Sequence, residues 1–207
     1  MATNPQGKVR FRRAAIPGLT ALAATGALVV LTAQGALGVQ FSISGLPFKV
    51  TASHLHGVGF EQFGAIDYTA PNSPNLKNLD GQALVFTSAI GTATITNLCQ
   101  SINLGGINMV IKAGGVAGSP VTADHLVLDS DQLSGDVADF KNIEIGNDAS
   151  KLDKIKSPDI TGPLGDFGQQ ADQVDIDNVV QNNWAATAAT FHLPNLTMGF
   201  STKACGQ

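Results

Sequence analysis

Ala83–Leu98 reads ALVFTSAIGTATITNL. Apolar and small polar side chains alternate along it, and no helical three-to-four spacing fits. At period two, Ile95 points to one face while Thr94 and Thr96 point to the other. The same texture fills the chain from Val39 onward. VQFSISG, FKVTASHL, HLVLDSDQL, FKNIEIG, QVDIDNVV and ATFHLPNLTMGF are all short alternating runs, punctuated by Gly and Asn. The predicted class is therefore mainly β. TAPNSPN (Thr69–Asn75) and DASKLDKIKSPDITGPLGDFGQQ (Asp148–Gln170) lack a period and read as surface loops, the second holding one helical turn near Ser150–Ile155.

The opening stretch ends on ITNL, and this pattern of apolar, any, Asn, apolar recurs. It is found as LKNL, ITNL, FKNI, IDNV and LPNL, centred on Asn78, Asn97, Asn142, Asn178 and Asn195. Three of the four intervals fall near one or two units of about eighteen residues, the length of one coil of a β-solenoid. ASHL, ADHL and ADQV form a fainter echo. Asn tolerates a left-handed backbone and bonds neighbouring peptides, so these residues are expected to turn the chain at strand ends. The predicted architecture is a quasi-repetitive β-solenoid or a curved β-sheet.

Ahead of the β texture lies a different kind of sequence. Lys8, Arg10, Arg12 and Arg13 cluster together, and no charged residue follows from Ala14 to Phe48. The apolar run Ala14–Leu37 is long enough, at about 1.5 Å per helical residue, to cross a hydrocarbon core of about 30 Å. The basic cluster predicts a cytoplasmic N-terminus. A signal anchor and a cleaved secretory signal both stay open. Either way residues 1–38 form a basic N-terminus plus transmembrane or signal helix. Residues 39–207 form an extracytoplasmic β-rich domain, on the cell membrane or secreted.

After Arg13 the chain carries sixteen acidic residues against eight lysines, a net charge of −8 (8 − 16). Nucleic acid is excluded as a partner on that charge. The two cysteines, Cys99 and Cys205, would meet an oxidising compartment and are expected to pair with each other.

Chemistry is sparse. His54 and His56 share a strand face, but zinc sites declare three or four ligands, and a solvated face is the expectation. Asp129, Asp131, Asp136 and Asp139 do not fit a calcium loop, because Leu133 and Ser134 stand where an EF-hand needs an oxygen ligand and Gly. They read as the wet side of a strand, as do Asp175 and Asp177. The G-x-S-x-G elbow is absent, and Ser44 and Ser119 sit in poor substitutes for it. IKAGGVAG lacks the ending of a phosphate loop. No cofactor or metal is expected, and the sequence leans away from an enzyme. Trp184, the single tryptophan, reads as a core or interface anchor or part of a lipid groove.

The order of segments resembles a family of small exported actinobacterial proteins with an uncharacterised domain, often labelled cholesterol esterase. The resemblance runs through RFRRAAIPG, AQGALGVQFSISG, FKVTASHLHGVGFEQFG, ITNLCQS, FKNIEIGNDAS, GQQADQV and WAATAATFHLPNLTMGFS. That label implies an extracellular lipid ester hydrolase and maps no catalytic residue onto this chain. The residues themselves point to a membrane-tethered or secreted cell-envelope domain with a structural or lipid-binding role. Small residues along Ala14–Leu37 would let such helices pack closely, so a homo-oligomer or an envelope protein partner is expected.

Overall fold

The computed structural model describes residues 42–75, 81–155 and 160–207. All of them fall in the unit Gly38–Gln207. The basic cluster, the apolar run Ala14–Leu37 and Asn78 lie outside the described residues. No helix among the described residues is long and apolar enough to cross a membrane.

The strands are β1 (Ser42–Ile43), β2 (Phe48–Thr69), β3 (Gln82–Thr96), β4 (Leu98–Asn103), β5 (Asn108–Ala113) and β6 (Val121–Ser134). They continue with β7 (Val137–Lys141), β8 (Glu144–Asp148), β9 (Phe167–Thr187), β10 (Thr190–His192) and β11 (Thr197–Ser201). One sheet contains them all. Every pairing except the short β1–β2 contact is antiparallel. The fold is mainly β, and its strands are not the parallel stacked coils of a solenoid. β2 pairs with β3, β3 with β6, β6 with β9, and β9 returns to β2. The sheet thus curls until its long strands close a ring.

Left-handed residues make the curl. β2 keeps one register against β3 and β4, with His54 opposite Thr96 and Thr51 opposite Cys99. Asn97 therefore faces Ser53, and its side-chain amide donates to the Ser53 hydroxyl at 3.0 Å. Extending the β2–β9 and β4–β5 registers by one residue puts Asn178 and Gly114 on the same line, and the Gly114 N–H bonds Pro194 beside Asn195. Asn97, Gly114, Asn178 and Asn195 all have φ between 51° and 66°. A second line joins Gly59 and His125, at φ 69° and 49°, through Gly91. A Cβ on Gly91 would meet the Val58 carbonyl oxygen at 2.9 Å, so this crossing needs a glycine.

Each line resets the alternation of side chains. Along β3 and β4 the buried apolar residues run Ile90, then Ala93 and Ile95, then Leu98. The inward phase is even, odd and even again, with Gly91 and Asn97 at the changes. β6 switches at His125, between Ala123 and Leu126, and β9 switches at Asn178, between Ile176 and Val179. A strand of strict period two could not keep all of these inside. Most residues pay roughly 1–2 kcal/mol for left-handed backbone, whereas Asn offsets this by local hydrogen bonding.

Two sequence expectations change. Asn178 lies inside β9 rather than at a strand end. Phe167–Gln170 belongs to β9 and pairs with β8, so Asp148–Gln170 is not one surface loop. Its middle opens with a 3-10 turn at Ala149–Lys151. It then buries Ala149, Ile155 and Ile160 against Phe63, Ala89 and Val127. Glu61, itself buried, holds this cover by accepting the Ile155 N–H at 2.7 Å.

Candidate functional site

The inward face of β2, β4, β6 and β9 encloses a cavity of about 420 Å³. Its walls are largely aliphatic, with Val50, Leu55, Ile95, Leu98, Leu126 and Leu128 among them. Leu46 and Phe191 border it and remain partly exposed, at 37% and 44%. The volume lies within the roughly 300–1,000 Å³ typical of small-molecule sites. Among the described residues, no Asp, Glu, Lys, Arg or His lines it.

Trp184 forms one side. Its indole N–H donates to Asp131 Oδ2 at 2.8 Å, and the Asn182 amide donates to Asp131 Oδ1 at 2.7 Å. Asp131 is exposed, as a wet strand face requires, and it also fixes the orientation of the ring. Trp184 packs on its other side against Ile43, Ala83 and Val85.

The structure joins other predicted residues away from the cavity. Leu55 points inward, so its neighbours His54 and His56 project from the opposite face. There His54 Nδ1 lies 2.7 Å from Asp177 Oδ1, and His56 Nδ1 lies 2.7 Å from Asp175 Oδ1. These pairs span β2 and β9 and are partly exposed. Among the described residues, no group of three or more His, Cys, Asp or Glu has the geometry to hold a metal ion. Ser44 Oγ accepts the Leu46 N–H at 3.2 Å. Asp136 and Asp139 are exposed.

Cys99 and Cys205 form a disulfide, with Cα atoms 5.8 Å apart. The Cys205 N–H also donates to Ser101 Oγ at 3.0 Å, which docks the C-terminal segment on β4. Asn142 and Asn178 repeat the Asn97 arrangement. Their amides donate across the ladder to Asp172 at 2.6 Å and Asp136 at 2.7 Å.

Asp129 corrects the reading of its cluster as a wet face, because it is fully buried. It shares one face of the sheet with Asp67 and Thr87, and the Thr87 hydroxyl donates to it at 2.6 Å. Burial pushes its carboxyl up to about 7. The adjacent Asp67 raises it further, and the Thr87 bond opposes the rise. Like-charged carboxyls in a dry site share protons in this way.

Residues 44–206 match the model of a family described as a family of unknown function, DUF6230. The chain belongs to this family. No curated protein and no solved structure matches the chain. The DUF6230 match spans every wall of the cavity, both cysteines and all five asparagines. The family's description names no activity, so the esterase label belongs to the resemblance alone.

Sequence reasoning missed Gln100 and Gln181 on the cavity wall and the Asp67–Asp129 pair. Gln181 lies in NVVQNN, just past Asn178. It reads as inward only once Asn178 is known to reset the phase.

Proposed function

We propose that this domain holds a lipid or similarly apolar molecule at the cell envelope, outside the cytoplasmic membrane. The cavity of about 420 Å³, walled by aliphatic side chains and Trp184 and free of charged residues, carries this reading. A chain of methylenes in this hollow would make dispersion contacts with its aliphatic walls. The Cys99–Cys205 bond suits an oxidising compartment. The basic cluster and Ala14–Leu37 supply a membrane tether or export signal. Assembly through that segment is part of the same proposal.

Native mass spectrometry of the full chain, gently extracted, tests the reading. We expect bound lipid, displaced when Leu128→Trp fills the hollow. A folded chain that carries no lipid and takes up none when offered would overturn it. The ester hydrolase implied by the resemblance needs a hydroxyl beside an imidazole. His54 and His56 bond carboxylates on the face away from the cavity. Turnover of cholesteryl or nitrophenyl esters that is lost on one Ser→Ala change would establish the hydrolase instead.

A further inference from the structure

Two polar side chains interrupt the apolar wall. Val50 pairs with Gln100 on β4 and with Gln181 on β9, so both glutamines flank it in one row across three strands. Both line the cavity. Two strand spacings separate them by about 9–10 Å. Gln181 is only 4% exposed. Neither side-chain amide is among the buried polar atoms left without a partner, and both are placed to bond a group that enters the cavity. A ligand group that displaces water from such an amide must match its hydrogen bonds or lose affinity. An amide both donates and accepts, so it serves a hydroxyl or a carbonyl equally. A carboxylate or an ammonium brought to the same place would be desolvated with no counter-charge, because no ionisable side chain among the described residues lines the cavity.

We infer that Gln100 and Gln181 select the polar end of the ligand, and that the cavity takes an amphiphile with an uncharged hydrogen-bonding head, such as a long-chain alcohol. This rests on the ligand-holding reading above. The single tryptophan, Trp184, lies on the cavity wall and reports occupancy by its fluorescence.

The full chain, purified and stripped of lipid, is titrated at pH 8 with 1-dodecanol, dodecanoate and dodecane. The expected result is that dodecanol binds at least about tenfold more tightly than either of the others. The double variant Gln100→Met, Gln181→Met keeps side-chain length and should bind dodecanol and dodecane alike. Dodecanoate binding as tightly as dodecanol would overturn the inference, as would an alcohol preference that survives the double substitution. Equal binding of all three probes would refute head selection and leave the apolar site standing. No response to any probe in a folded chain would remove both. The ranking in the unsubstituted chain decides the matter even where the double variant fails to fold.

Discussion

The two faces of the curled sheet are built to different standards. On one, Phe63, Ala89 and Val127 are sealed beneath Ala149, Ile155 and Ile160. On the other, Leu55, Leu126 and Leu128 line a space that no described side chain fills. The same strands contribute different side chains to the two faces. The cover differs too. The insertion between β8 and β9 folds down over one face and is pinned there by Glu61. The other face is ringed by β2, β3, β6 and β9, and the Cys99–Cys205 bond ties the C-terminal segment to β4.

The largest expected effect tests that contrast directly. Phe63→Ala should lose about 3–5 kcal/mol of stability, because it empties a filled site. Leu128→Ala borders space that is already vacant and should lose about 2 kcal/mol, near the low end for its type. Urea unfolding of both variants measures the gap, and equal losses would break the comparison.

Removing the disulfide by Cys99→Ser with Cys205→Ser should cost about 2–5 kcal/mol. It should also loosen ligand retention in the hollow more than it exposes Ile155 to hydrogen exchange. The reverse pattern would show that the bond serves the covered face.

A smaller effect, of opposite sign, comes from the covered face itself. Asp129 has its carboxyl raised to about 7 in the fold, mainly by burial. The folded state therefore keeps a proton that the unfolded chain releases near pH 4. Stability from this group is full below that point and falls as pH rises toward 7. Asp129→Asn retains an acceptor for Thr87 and a donor toward Asp67. It should raise stability at pH 8 by on the order of 2 kcal/mol and flatten the slope between pH 4 and 7. Thermal unfolding across that range checks it; an unchanged slope would assign the titration elsewhere.

The smallest effect concerns the lines that both faces share. Asn97→Ala should cost about 1–2 kcal/mol, through left-handed backbone and the lost bond to Ser53. Asn97→Gly should cost less than half of that, since glycine adopts this backbone freely. Equal losses would show that the Ser53 bond outweighs the backbone term.

Much of this was legible in one dimension. Ile95 between Thr94 and Thr96 announced a half-buried strand, and the apolar–x–Asn–apolar pattern marked places where the chain turns. The inference from its spacing to solenoid coils did not hold. Asn97 and Asn178 lie on one line of the sheet, both opposite Ser53, but antiparallel β2 stands between their strands. Their separation in sequence therefore counts loops and return strands rather than repeating coils. Asp129 and Gln181 were misread or missed for a related reason. Period-two reasoning assumes one unbroken phase, and a single left-handed residue inverts it for everything downstream.

The sequence by itself determined the β texture, the residues able to take left-handed backbone, the charge of the chain after Arg13 and the number of cysteines. These follow from local sterics and composition, which each residue carries wherever it lies. Only the tertiary structure decided which left-handed residues align and where the sheet closes. It also decided that His54 and His56 meet Asp177 and Asp175, and that one face is filled while the other is hollow. Those outcomes depend on pairings between segments some hundred residues apart, and no short window of sequence contains both partners.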